Sequence, residues 1–270
     1  MNFPDFSSIK MVVSDMDGTL LNSEHQVSDQ FFELFEELKS RGVLFVAASG
    51  RQYDSIVEKL QPIFDHIYFI AENGGMIKKN DQELLSIAFP KELVAEPIEL
   101  LERHTDINTV LCTRKSAYIR SDQKHFKKFV DEYYTSTNYI DNLMDCPEEI
   151  IKIALYHADG SEKNIYPKVK QFENRLQVKI SGPNWVDLSH LNCNKGYALQ
   201  KLQEHLGISK EQTMVFGDYN NDLEMFAQAR YSIAMENSHP NVLKVATHQT
   251  SSNNNFGVEK VLEKLIRDLS

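Results

Sequence analysis

Two hydrophobic rhythms divide this chain. Unbroken apolar runs of strand length, Met11-Val12-Val13, Val43-Leu44-Phe45-Val46-Ala47, Ile67-Tyr68-Phe69-Ile70-Ala71 and Thr213-Met214-Val215-Phe216, stand between segments whose apolar positions recur every three or four residues. An unbroken run implies burial on both faces, as in a parallel sheet covered by helices. Phe31, Phe35 and Leu38 keep helical spacing after Ser28, and the helix stops at Arg41-Gly42. Tyr53, Ile56, Val57 and Leu60 mark a second helix that ends near Pro62. Strand, helix, strand, helix, strand with short connections predicts an α/β fold with a doubly wound, mostly parallel sheet. In such a sheet the ligand site lies at the carboxyl ends of the strands.

The rhythm changes in the middle of the chain. Asn108 to Thr113, Tyr118-Ile119, Ile150 to Tyr156 and Leu176 to Ile180 read as strands, interleaved with Lys- and Glu-rich helices around Phe126 to Tyr134 and Tyr166 to Phe172. None of these strands ends in a carboxylate or glycine cluster. The reading is a core of residues 1–85 and 187–270 with an α+β domain, 86–186, inserted into it. Val186-Asp187-Leu188 is read as the return to the core, followed by a helix through Ala198, Leu199, Leu202 and Leu206 and, at the end, one through Val258, Val261, Leu262 and Leu265.

Composition narrows the partners. The 270 residues are 41% hydrophobic and 25% charged, an ordinary globular balance with enough chain for a large core. A net charge of -10 argues against nucleic acid and anionic membrane surfaces, which reward a basic face. It leaves a small anion possible, since that needs only a local cluster of donors. The start of the chain lacks the basic and apolar segments of a signal peptide, no later segment has membrane-spanning length, and Cys112, Cys146 and Cys193 are scattered without metal spacing. These features lead to the expectation of a cytoplasmic protein, a monomer or weak homo-oligomer.

Candidate chemistry gathers at the strand ends. The first run empties into Asp15-Met16-Asp17-Gly18-Thr19, where alternate positions put two carboxylates on one side before the glycine turns the chain. Such a pair is either a turn signal or a site asking for a metal ion, a proton-transfer role, or both. Ser49-Gly50-Arg51, Asn194-Lys195-Gly196 and Gly217-Asp218-Tyr219-Asn220-Asn221-Asp222 end or follow other core strands. Carboxylates with backbone carbonyls suit Mg²⁺, and a lysine and a hydroxyl at the same edge suit the remaining oxygens of a phosphate. Together they fit phosphoryl transfer.

With these four clusters in order, the sequence resembles the haloacid dehalogenase superfamily of phosphohydrolases. The interval between Ser49 and Lys195 is similar to that of its Cof-type subgroup (subfamily IIB), bacterial sugar phosphatases with an inserted α+β cap, as are Glu72-Asn73-Gly74 and Asn194-Lys195-Gly196. The resemblance implies an Mg²⁺-dependent phosphatase for small phosphorylated metabolites, most of all sugar phosphates, working through an aspartyl-phosphate on Asp15. It implies Asp17 as general acid and base, protonated when substrate binds because of its like-charged neighbour. Mg²⁺ would be held by Asp15, the carbonyl of Asp17, and Asp218. The phosphate would be held by Ser49, Lys195, Asn221 and the N–H groups of Met16 and Gly50, with Asp222 orienting Lys195 or a metal-bound water. A sugar phosphomutase and a non-catalytic phosphate-binding module of the same fold are the competing readings. Arg51 stays open between substrate contact and salt bridge, and Glu72-Asn73-Gly74 between ligand contact and simple turn. No histidine is assigned a role, and Trp185 is read as core packing.

Overall fold

The computed structural model describes residues 3–80, 82–114, 116–131, 134 and 136–269. In chain order the strands are β1 (Met11–Asp15), β2 (Leu44–Ala48), β3 (Tyr68–Ala71), β4 (Met76–Lys79), β5 (Gln82–Ser86), β6 (Asn108–Thr113), β7 (Ala117–Arg120), β8 (Thr137–Ile140), β9 (Ile150–Tyr156), β10 (Leu176–Gly182), β11 (Trp185–His190), β12 (Thr213–Gly217), β13 (Tyr231–Ala234) and β14 (His248–Gln249). They form two sheets.

The larger sheet has the order β14-β13-β12-β1-β2-β3-β4-β5. The six strands from β14 to β3 run parallel, and β4 and β5 add an antiparallel hairpin at one edge. Successive residues of a strand point to opposite faces, and the packing follows that rule through β1. Val12 joins Phe45, Phe69 and Met214 under the Asp29–Ser40 and Gly257–Asp268 helices, whereas Met11 and Val13 join Val46 and Val215 under the Lys195–Leu206 helix. Phe31 of the first helix meets Phe45 edge-on at 5.0 Å. Each phenylalanine buried this way contributes roughly 1.5–3 kcal/mol. With both faces covered, the open place for a ligand is the carboxyl edge, where the chain leaves β1, β2 and β12.

The second sheet has the order β10-β11-β9-β6-β7-β8. One face packs Leu111, Ile153 and Leu188 against the Lys91–Leu101 helix and the segment through Ile165, Val169 and Phe172. The other packs Val110, Cys112 and Ala154 against Phe126, Val130 and Tyr134.

Two expectations need correcting here. Val186-Asp187-Leu188 is part of β11, which pairs antiparallel with β9 and β10 in the second sheet, so the chain returns to the core sheet after His190 instead of at 186/187. Val186 and Leu188 read as a core strand because they are apolar, but register against Leu155 and Ile153 decides their sheet. The expected helix from Phe126 to Tyr134 is a 3-10 turn, Ser121–Phe126, followed by one short helix, Lys127–Val130, with Glu132 and Tyr133 outside the described residues. Its four-residue spacing reports burial of Phe126, Val130 and Tyr134 rather than helix length.

Candidate active site

β1 delivers Asp15 at its last residue, and Gly18 then bends the loop with a φ of +74°. A side chain at Gly18 would put its Cβ 2.3 Å from Asp218 Oδ2, so only glycine lets this loop close on the one after β12. The Thr19 hydroxyl donates to Asp218 Oδ1 at 3.1 Å and fixes that approach. Lys195 enters from the first turn of its helix, which is capped by Asn194 Oδ1 accepting the Tyr197 N–H at 2.7 Å. Its Nζ, fully buried, donates to Asp15 Oδ1 at 2.5 Å and to Asp222 Oδ1 at 2.7 Å. The other Asp222 oxygen accepts the N–H groups of Asp218 at 2.9 Å and Tyr219 at 3.1 Å. Asp222 is therefore committed to holding Lys195 and its own loop.

Charge is unbalanced at this point. Asp15, Asp218 and Asp222 each have an oxygen within 4.8 Å of the others, against the single ammonium of Lys195. Burial first, then the neighbouring carboxylates Asp222 and Asp17, push Asp15 up to about 7 although Lys195 opposes them. Burial and the carboxylates of Asp15 and Asp222 likewise raise Asp218 far above the ordinary carboxylate range. Burial with its like-charged neighbours makes Asp15 and Asp218 a place where a cation lowers the energy, and an all-oxygen donor set fits a hard divalent ion such as Mg²⁺.

Asp17 is arranged differently from the expectation. Its carboxylate takes a two-point clamp from Arg51, Nε to Oδ2 at 2.7 Å and the terminal nitrogen to Oδ1 at 2.5 Å, with His25 Nδ1 3.4 Å away. Burial would raise its pKa, but hydrogen bonds from His25 and Arg51 pull it down to about 2. Asp17 is therefore held in its charged form against burial by His25 and Arg51 together, where the expectation was a protonated group. Arg51 thus sits in a salt bridge, and His25 is a contact that histidine spacing did not reveal.

The Glu72-Asn73-Gly74 turn carries more than a bend. Glu72 and Asn73 both have positive φ, 52° and 53°, a conformation unusual outside glycine. Asn73 accepts from the Asn221 amide at 2.9 Å and donates to Asp187 of β11. Lys152 of β9, buried, lies 2.9 Å from Glu72 and 3.3 Å from Asp187, and donates to the Gly50 carbonyl at 2.5 Å. Burial alone would lower the Lys152 pKa, but Asp187 and Glu72 reverse that and raise it. This cluster ties the second sheet to the loop after β2. At Gly74, φ is +94° and a Cβ would lie 2.3 Å from the Asn194 carbonyl, so the turn packs directly onto the cap of the lysine helix.

A cavity of about 560 Å³ opens between the two sheets, lined on the core side by Asp15, Asp17, Ser49, Gly50, Asp218 and Asn221. Ser49 Oγ accepts the Arg51 N–H at 3.1 Å. Met16, expected to act through its N–H group, buries its side chain in the core. Trp185, expected to be core packing, is half-buried and lines the cavity from the second sheet.

The family model for haloacid dehalogenase-like hydrolases matches residues 12–262. The chain belongs to that family. It is 30% identical over 263 residues to the Escherichia coli 5-amino-6-(5-phospho-D-ribitylamino)uracil phosphatase YbjI, covering 96% of this chain and 97% of that protein. A Streptococcus mutans crystal structure superposes with a TM-score of 0.90 at 27% identity, covering 96% of this chain and 99% of the other. A subclass IIB sugar phosphatase, BT4131, shares the fold at a TM-score of 0.81 and 21% identity, covering 94% and 98%. As a haloacid dehalogenase-like hydrolase with an acid, lysine and hydroxyl cluster at its sheet edge, the chain is a phosphoric monoester hydrolase. Within this family site, Lys152, Asp187 and His25 are the residues that motif reading missed. A single lysine inside the apolar run Ile150 to Tyr156 was the available signal, since a charge there must find buried partners.

Proposed function

We propose that this hydrolase is an Mg²⁺-dependent phosphatase of small polyhydroxylated phosphate monoesters, sugar or sugar-alcohol phosphates, with Asp15 as nucleophile. The observation that carries the reading is the buried Lys195 nitrogen held between Asp15 and Asp222, next to Asp218. That lysine keeps one Asp15 oxygen fixed and favours its ionised form, and the other is left to attack phosphorus. Asp15 and Asp218 would hold the ion, which neutralises phosphate charge and aligns the ester when bound. Ser49, Lys195, Asn221 and the N–H groups of Met16 and Gly50 would hold the other phosphate oxygens.

In the reaction an Asp15 oxygen bonds to phosphorus as the phosphorus–oxygen bond to the alcohol breaks, and Asp17 gives the leaving alkoxide its proton. Water then attacks the aspartyl-phosphate, Asp17 takes the water's proton, and inorganic phosphate leaves. Asp17 must first be freed from Arg51 and take up a proton, from solvent or from the entering phosphate monoester, before it can give one to the leaving group. An incoming phosphate dianion competes for that guanidinium, so substrate arrival and release of the acid are the same event. The E. coli relative's substrate, a phosphorylated ribityl chain on a uracil, supports the sugar-alcohol assignment.

The test is phosphate release from an aryl phosphate and from a sugar-phosphate panel, with and without Mg²⁺, in the parent and in Asp15→Asn. The parent should release phosphate only with Mg²⁺, and the variant should fall by at least ~10³-fold. Equal release by both would remove Asp15 from the chemistry. Product analysis with a sugar bisphosphate separates hydrolysis from phosphoryl return to the sugar.

A further inference from the structure

We infer that Lys152 of the second sheet is a positioning residue for the phosphate: it sets the loop after β2 directly, and Asn221 of the Asp218 loop through Asp187 and Asn73. The inference rests on the phosphatase reading and adds to it a residue outside the core strand ends. Lys152 Nζ is buried, donates to the Gly50 carbonyl at 2.5 Å, and has Glu72 Oε2 at 2.9 Å and Asp187 Oδ2 at 3.3 Å. Two carboxylates are enough to keep a buried ammonium charged. The bond to Gly50 is therefore not needed for charge balance, and it falls on the loop that carries Ser49 and the Gly50 N–H.

Its effect there follows from peptide planarity. The peptide joining Gly50 to Arg51 accepts from Lys152 at its oxygen and donates its N–H to Ser49 Oγ at 3.1 Å, so a rigid plane is pinned on both sides. Ser49 Oγ is held as an acceptor, which leaves the hydroxyl proton for an oxygen in the cavity that Ser49 lines. The turn after β3 braces the same loop, with the Glu72 N–H on the Arg51 carbonyl and the Asn73 N–H on the Ser49 carbonyl, both at 3.0 Å. The second arm is set by the order of donors and acceptors. A carboxylate paired with an ammonium can only accept, so Asp187 takes the Asn73 amide nitrogen. Asn73 Oδ1 is then turned to Asn221, whose Nδ2 donates to it at 2.9 Å. Neither amide has a choice of flip while Asp187 stays beside Lys152. One cation thus reaches two of the segments proposed to hold phosphate oxygens, and with three protein oxygens around it Lys152 acts on the phosphate through them.

Inorganic phosphate, which has no alcohol, is the probe that separates this role from others. Its competitive inhibition constant is compared at saturating Mg²⁺ in the parent, Lys152→Met, Asp187→Asn and Asp187→Leu, alongside kcat/KM for an aryl phosphate and for ribose 5-phosphate. Lys152→Met should raise the constant by about 10-fold and lower kcat/KM for both esters by a similar factor, since the pocket they share is what shifts. Asp187→Asn keeps an oxygen for Lys152 and Asn73, whereas Asp187→Leu removes it. The leucine variant should therefore bind phosphate at least ~3-fold more weakly than the asparagine variant. An inhibition constant does not depend on how much of the enzyme is folded. Slower turnover with a constant like the parent's would reduce Lys152 to a stabilising residue and overturn the inference. A loss confined to ribose 5-phosphate would overturn it by making Lys152 a contact of the alcohol. Should Lys152→Met fail to fold, the Asp187 pair decides: equal constants overturn the inference, and a greater loss in the leucine variant supports it. No phosphate release by the parent from any substrate would overturn the phosphatase reading, and the inference with it.

Discussion

Asp15 and Asp17 are two residues apart and their environments drive them in opposite directions. Asp15 is buried among carboxylates and pushed up to about 7, whereas His25 and Arg51 hold Asp17 down at about 2. A nucleophile must be ionised, so at limiting Mg²⁺ activity should fall as pH drops through about 7, where Asp15 takes up a proton. A cation next to Asp15 favours its charged form, and the acid limb of kcat/KM should therefore move down by about 1–3 units at saturating Mg²⁺. A limb that stays in place across Mg²⁺ concentrations would mean that the ion does not bind beside Asp15. The same residues show what a sequence can tell. Asp15 and Asp218 were legible because each sits where an apolar run breaks, which marks a strand end whatever the tertiary structure, and Lys195 because it opens a helix just after its capping asparagine. The Asp17 clamp was not legible, because Arg51 lies 34 positions away and either partner could have faced the substrate. Trp185 packs against the second sheet's core as expected and also lines the cavity, which its apolar character alone could not reveal.

At the scale of elements, the buried cluster at Lys152 joins β9 and β11 to the turn after β3. Removing one member leaves nearly buried charges without their partner. Lys152→Met should cost about 3 kcal/mol in denaturant unfolding, because the carboxylates of Glu72 and Asp187 lose their cation. Lys152→Met with Glu72→Gln should lose less than the sum of the single changes, by roughly 1 kcal/mol, and simple additivity would show that the pair is not coupled. Gly74→Ala places a methyl carbon 2.3 Å from the Asn194 carbonyl at a φ of +94°. It should cost roughly 2 kcal/mol or more and should also displace Lys195, so that activity falls further than stability alone explains. Strands β6 and β9 have the bounds read from the sequence, because both are buried on both faces and mostly apolar, with Lys152 the charged exception that finds buried partners. β11 was assigned to the wrong sheet, since pairing partners are set by register over long sequence separations. β4 and β5 were not foreseen, because an edge hairpin is only partly covered and its exposed side chains break the pattern.

On the scale of the molecule, the cavity is made by two sheets and its volume depends on how they sit together. Besides the buried cluster, Lys179 of β10 pairs with Glu224, which belongs to the short helix following the Asp218 loop. This outer pair is partly open to water, so it contributes about 0.5 kcal/mol and is weakened by salt. Because it joins β10 to the helix that follows the Asp218 loop, it is a tether between the two sheets rather than a source of global stability. Lys179→Gln should therefore leave the unfolding midpoint nearly unchanged while raising KM about two- to threefold at low salt, with kcat within about twofold, since the chemistry is untouched. Raising the salt screens phosphate attraction in both proteins equally, but it screens the tether only in the parent. The two KM values should accordingly converge as ionic strength approaches ~0.5 M, where the Debye length falls to a few ångströms. A KM ratio that persists at high salt would show that Lys179 acts through packing or substrate contact instead of through Glu224. A ratio of one at every ionic strength would show that closure of the cavity is governed by the Lys152 cluster alone.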